Sequence, residues 1–438
     1  MASREAPSSE QWSNFPGVAR MSFGFLAVFA SYTTTQNLMP WLLQQLGFGR
    51  LGFVSLMTVY GFFFLSCALI PPLLKQVNAR HALPVASLTY ALSAGSAAIV
   101  ASGMLQDSAA KLVLMLASAV NGVGVSGLWC CQGVIMTYYA PPKLLNRYIA
   151  FFLVCWQLGP LSGAVLARIL LERMTTANAF LVLCGLSLVG TAIMTGLPAP
   201  VKNVETPPEP AIVAKPFHEV RGEMQQRLRR PLQMLSSDRR AVHITCLSFM
   251  HGACLNAFPS AVFSQCAGGS HMLAATDSDL MRRRVAVALA CLGVGSTLAA
   301  LAFAPLTDRL GRRASMACVC LTILLATSCF ELEAIGIAYV HARVPYLNIA
   351  AFALGLANMC CRGSLLSSII SLYKSDSVYA VVAMQFGTSV GTVFGFVAFP
   401  WLSLHSNIAL GLGGYALGAL AAVAHRPMFD TDLPLKAQ

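Results

Sequence analysis

The chain has 438 residues, of which 56% are hydrophobic and only 11% charged, with a formal net charge of +12. Soluble domains carry about 25% charged residues, so there is too little charge to coat the roughly three soluble domains that this length would allow. Membrane spans of about 20 residues fit instead, and twelve of them would use roughly 240 residues.

In chain order, residues 1–17 are polar and read as a cytoplasmic tail without a cleavable signal peptide. Apolar runs follow near 18–44, 52–74, 82–103, 109–139, 147–171 and 178–197, each with about four residues of latitude at its ends. Residues 198–240 are polar, and further runs lie near 241–263, 284–307, 314–335, 346–373, 378–402 and 404–425. The runs are continuous and not alternating, which predicts helices instead of a barrel. The expected fold is an all-α membrane protein with twelve transmembrane helices in two six-helix bundles, 18–197 and 241–425. A cytoplasmic linker joins the bundles at 198–240, and a cytoplasmic tail follows at 426–438.

The linker divides in two. Residues 198–216 are proline-rich and predict an extended strand of chain. From Phe217 to Arg240 the sequence turns basic, with Val220, Met224, Leu228 and Leu232 at helical intervals. That pattern suits an amphipathic helix on the anionic inner leaflet, with a solvated tether as the equal alternative.

Most of the 29 Lys and Arg residues fall in loops that become cytoplasmic if the N-terminus is inside. Opposite them stand Arg50, Lys111, Arg168, Arg173, Arg282, Arg283, Arg284 and Arg343. This bias predicts both termini in the cytoplasm, although the cluster 282–284 lies on the wrong side. Most of the 14 cysteines lie within apolar runs and lack zinc spacing, so neither a disulfide framework nor a metal site is expected. Nucleotide-binding, zinc-protease and nucleophile-elbow motifs are missing too, and the sequence predicts no enzyme, no cofactor and no nucleic-acid partner. Which membrane holds the chain, plasma or endosomal, stays open.

A repeat is the best internal evidence for duplication. Residues 72–80, PLLKQVNAR, align without a gap to 305–313, PLTDRLGRR, each closing the second span of its half. Parallel repeats of a six-helix unit are the expected consequence. In the second copy Asp308 sits at a helix C-terminus, where the macrodipole disfavours negative charge. It therefore calls for a partner from Arg309, Arg312 or a neighbouring helix end. Gly311 permits a tight turn, and with Arg312 and Arg313 these residues form a candidate gate. Such a cytoplasmic latch would form only when two helix ends meet; an ordinary positive-inside loop is the alternative.

That loop resembles the signature between spans two and three, and eight and nine, of the major facilitator superfamily. The first copy departs from it, with Lys75 in place of the acid and Asn78 in place of the glycine. A narrower resemblance is carried by SYTTTQNLMPWL (31–42), LGFVSLMTVYGFFFLS (51–66), PPLLKQVNARHAL (71–83), GLWCCQGVIMTYYA (127–140) and NRYIAFFLVCWQLGPLSG (146–163). These segments are similar to the uncoordinated-protein-93 family of that superfamily. The resemblance implies the two-bundle, twelve-helix fold, and its members are described as ion-channel regulators and receptor escorts.

An ionisable group at mid-bilayer costs about 2.5–3.5 kcal/mol on insertion scales and needs a reason. Arg362 is the clearest case, near the middle of the tenth span with Asn358 one turn away. By resemblance this span lines the central cavity, where an arginine could grip a carboxylate or phosphate; a structural arginine bonded to a neighbouring helix is the alternative. His251, in the seventh span, could carry a proton or simply bond a neighbour. The 17 Asp and Glu residues fall in loops or near span ends, which argues against cation-driven symport. Neutral polar residues complete the candidate cavity: Tyr32, Gln36, Asn37, Asn121, Trp129, Gln132, Gln157 and the stripe Gln385, Ser389, Thr392. Gly159-Pro160-Leu161-Ser162-Gly163 and the series Gly387, Gly391, Gly395 are read as close-packing surfaces.

Two functions therefore stand. The first is a secondary transporter or facilitator of a small solute, with the buried arginine pointing to an anion. The second is an accessory protein that regulates or escorts a membrane-protein partner within the lipid bilayer.

Overall fold

A computed structural model describes residues 12–45, 47–48, 51–67, 69–74, 77–141, 144–201, 233, 236–259, 262–263, 278–335, 346–373 and 377–424. Among them every regular element is a helix. The first half comprises α1 (Phe15–Gln45), α2 (Leu51–Cys67), the short α3 (Ile70–Leu74), α4 (Ala79–Ala101), α5 (Asp107–Tyr139), α6 (Leu145–Arg173) and α7 (Thr176–Thr195). The second half comprises α8 (Arg239–Gly252), α9 (Ser278–Ala334), α10 (Tyr346–Tyr373), α11 (Ser377–Ala398), α12 (Leu404–Asn407) and α13 (Gly414–Ala424). Among the described residues, eight helical stretches are long and apolar enough to cross a membrane. Most of the predicted amphipathic segment, and the second tail, lie outside the described residues.

Polar side chains start several helices where the sequence offers them. Asn78, Thr175, Asp238 and Ser403 each precede a helix and accept a backbone N–H from its first turn. Asn78 explains why the first loop copy departs from the second, because it is a helix cap with φ −56°. At the matching place in α9, Gly311 has φ +81° and breaks the element into two limbs. A side chain there would be strained although the surrounding space is open.

The helices bury their polar faces and expose their apolar ones. On α5, Leu112 and Leu116 are 60% and 58% exposed, whereas Ser118 and Asn121 are 4% and 0% exposed. Water would penalise that arrangement and lipid favours it. The chain is an integral, multi-pass membrane protein.

Within the first half, α1 packs on α6 and α7, and α4 packs on α5 and α7. Within the second, α9 packs on α10, and α8 packs on α11 and α13. The halves meet where α6 lies against α9 and α2 against α11. Close-packing surfaces stand where the sequence suggested them. A Cβ on Gly163 would strike the Ala30 carbonyl, and one on Gly391 would strike the Phe249 carbonyl. Two short π-helical turns, Ala253–Ala257 and Ile408–Gly413, extend α8 and join α12 to α13. They touch through the Cys254 thiol, which donates to the Gly411 carbonyl at 3.0 Å.

Two ion pairs stand at one end of the second half, one of them on Arg284 of the 282–284 cluster. Arg284 pairs with the buried carboxylate of Glu333 at 2.5 Å, and His405 lies 2.8 Å from Glu331. At the opposite end the chain leaving α7 is held down. Asn14 donates to the Val201 carbonyl and accepts its N–H, and Tyr139 donates to the Pro198 carbonyl. Arg20 donates to the Ile193 carbonyl at 2.7 Å, satisfying a free acceptor in the last turn of α7.

Candidate functional site

The centre of the molecule is aromatic. Phe25 and Phe29 of α1, Trp129 of α5 and Phe152 and Trp156 of α6 stack edge to face, with the two indoles 4.9 Å apart and 81° between their planes. All of these residues belong to the first half. Arg362 enters their corner from α10, in the second half, with its guanidinium carbon 4.3 Å from the Trp129 ring centre and 4.6 Å from that of Trp156. Each such cation–π contact is worth about 0.5–2 kcal/mol. Trp129, Trp156 and Arg362 each lie about ten residues from one helix end, which at about 1.5 Å per residue puts them roughly 15 Å deep, near the bilayer midplane.

The guanidinium carries five N–H donors. Among the described residues none of them meets an acceptor and no carboxylate faces it. Asp107, Asp238, Asp308, Glu331 and Glu333 all stand at helix ends. Arg362 is also half-buried and not sealed. The site is therefore a positive charge in an aromatic corner that no side-chain carboxylate among the described residues faces.

Tyrosines extend the corner. Tyr32 and Tyr90 meet edge to face with ring centres 4.7 Å apart, and Tyr60 donates to Gln36 Oε1 at 3.4 Å. The Tyr90 hydroxyl, Gln132 Nε2 and Trp156 Nε1 are buried without a partner among the described residues. Gln132 also borders an apolar crevice with Cys130, Leu366 and Ile370, which runs between the halves one helical turn from Arg362.

The other expected residues are placed as follows. Asn358 is half-buried one turn before Arg362, Asn37 is half-buried on α1, and Gln157 and Gln385 are buried. His251 is buried with Nδ1 3.5 Å from the Tyr415 hydroxyl, so its contact is to α13 and not to the aromatic corner. In the α11 stripe, Ser389 donates to the Phe386 carbonyl and Thr392 to those of Gly252 and Thr388. Those hydroxyls are occupied by backbone, and the Thr392–Gly252 bond ties α11 to α8.

The candidate gate has a partner that the sequence reading offered only as a class. Asp308 Oδ1 accepts from Asn146 Nδ2 at 3.0 Å, in the first turn of α6. Ser367 donates to Asn146 Oδ1 at 3.2 Å, and Arg312 Nε donates to Ser367 at 3.0 Å. Arg313 Nε donates to the Val423 carbonyl at 3.0 Å, while Arg309 is exposed. A helix N-terminus from the other half thus meets Asp308, where its dipole is favourable. Sequence reasoning did not single out Trp156, Tyr60, Tyr90, Asn146 or Ser367. No local pattern marks them, because each owes its place to a helix distant in sequence.

Residues 49–423 match the family model described as ion channel regulatory protein UNC-93. The chain is 22% identical over 477 aligned residues to the bovine (Bos taurus) protein unc-93 homolog A, covering 97% of this chain and 96% of that one. A zebrafish (Danio rerio) unc-93 homolog A is 26% identical over 168 residues, covering 36% of this chain and 34% of that one. Among solved structures, the proton:xylose symporter XylE superposes with TM-score 0.66 at 13% identity, covering 94% of each chain. The human organic anion transporter MFSD10 (TETRAN) does so with TM-score 0.62 at 16% identity, over 93% of this chain and 99% of that one. A nucleoside transporter, NupG, gives TM-score 0.62 at 15% identity, over 95% and 100%. These likenesses establish the major facilitator fold, and the family match over most of its length makes this chain a member of the UNC-93 ion channel regulatory protein family.

Proposed function

We propose that this protein is a secondary transporter or facilitator that moves a small anionic solute by alternating access. In this reading twelve spans form two six-helix bundles, 18–197 and 241–425, with both termini and the 198–240 linker in the cytoplasm. The observation that carries it is Arg362, a charge from one half seated in an aromatic corner of the other at mid-membrane depth, with no carboxylate among the described residues facing it. A solute bound there touches both halves, so its arrival and departure can be coupled to their rocking. The Asp308–Asn146 bond closes the cytoplasmic end in this arrangement and must break when that end opens.

The test is uptake of labelled organic and inorganic anions into liposomes carrying the full chain. Arg362→Gln should abolish uptake, and a disulfide in Asn146→Cys/Asp308→Cys should block it until reduced. The family description supports a second reading, an accessory protein acting on a membrane-protein partner. Recovery of a stoichiometric partner, with no uptake of any anion, would decide for that reading and against transport.

A further inference from the structure

We propose that the Arg362 corner takes a small monocarboxylate with an aromatic or branched apolar body, its oxygens shared between the Arg362 guanidinium and the Trp156 indole N–H. The inference rests on the transport reading above and adds the class of solute.

Charge sets the first limit. Arg362 is one cation, and among the described residues no lysine or second arginine shares its corner. A single negative charge neutralises it, whereas a dianion would carry an uncompensated charge into the same low-dielectric space. His251 packs its ring against Tyr415, and no ring or hydrogen-bond contact places it against Trp129 or Trp156 among the described residues.

Donor chemistry sets the second. Arg362 and Trp156 Nε1 are donor-only groups, and the indole N–H is buried without a partner. That N–H belongs to a ring whose centre is 4.6 Å from the guanidinium carbon, so the two donors share one corner. A planar two-oxygen acceptor matches the fork of a guanidinium and leaves an oxygen lone pair for the indole.

The walls set the third. Trp129 and Phe29 stand against Trp156, Trp129 also lies under the guanidinium, and Phe25 and Phe152 back Trp129. A compact, strongly hydrated anion would exchange its water for carbon there, while a carboxylate on an apolar body buries that body favourably.

The experiment measures binding to the full chain in detergent by thermal shift and by tryptophan fluorescence, with benzoate, acetate, succinate, inorganic phosphate and tetramethylammonium as probes. Benzoate should bind saturably, acetate about ten-fold more weakly, and the other three not at all, since an apolar ring adds roughly that much by burial. Trp156→Phe keeps an aromatic wall and removes only the N–H, so it should weaken benzoate about ten-fold without lowering the unliganded Tm. Arg362→Gln should abolish the binding. Equal benzoate affinity in Trp156→Phe would overturn the shared-oxygen geometry. Succinate or phosphate binding that requires Arg362, in place of benzoate, would overturn the monocarboxylate class while leaving the transport reading standing. No anion binding to folded protein would sink both.

Discussion

Asn146 Nδ2 donates to Asp308 Oδ1 at 3.0 Å, tying the first turn of α6 to the end of the first limb of α9. The bond joins the two halves of the molecule at the end away from the Arg284–Glu333 pair. Breaking it should release that end. Asn146→Ala removes one hydrogen bond to a carboxylate that is exposed to solvent, worth about 0.5–1.5 kcal/mol, which shifts a two-state equilibrium by roughly two- to ten-fold. A cysteine placed at Thr137, beside the crevice, should then react faster with a water-soluble maleimide by a similar factor. An unchanged rate would remove Asn146 from the gate.

The indole of Trp129 should matter as a π face and not only as bulk. Trp129→Phe keeps a smaller ring near Arg362 and should lose about 0.5–1 kcal/mol, whereas Trp129→Leu removes the face and should lose about 2 kcal/mol. Thermal unfolding of the two variants gives the comparison, and equal losses would show that packing alone holds the guanidinium.

Arg284 and Glu333 test whether this member of the 282–284 cluster is balanced locally. Glu333 is buried and Arg284 is partly open to solvent, with side-chain exposures of 3% and 28%. Solvent screening at the arginine limits the effect of Glu333→Gln to about 1–2 kcal/mol. The exchange Arg284→Glu with Glu333→Arg should restore part of the loss, and a double-mutant cycle on the unfolding midpoint measures the coupling.

Gly391 should tolerate nothing larger. A Cβ there meets the carbonyl of Phe249, so Gly391→Ala must push α11 from α8. Overpacking of this kind costs about 1–3 kcal/mol. The same substitution at Gly185, which faces open space, should change the unfolding midpoint little. Equal effects at both sites would contradict the packing described for α8 and α11.

Much of the architecture was legible before any coordinates. Continuous apolar runs, too little charge and the lack of mid-run carboxylates dictate helices in a bilayer, because an unpaired backbone group or charge has no water there. Gly311 and the Gly159–Gly163 and Gly387–Gly395 series likewise announced a turn and two tight contacts, since only glycine removes the Cβ that would forbid them. Arg362 stood out for the same reason that it is expensive to bury.

What Arg362 and Asp308 touch was decided only by the tertiary structure. Asp308 meets Asn146 instead of either neighbouring arginine, and Arg362 rests on Trp129 and Trp156 instead of a carbonyl. Both contacts run between α-helices of opposite halves. Hydropathy and periodicity describe how one helix faces its surroundings, and they carry no information on which distant helix fills the facing groove. That choice belongs to the packing of the two halves, and the site exists only because they meet.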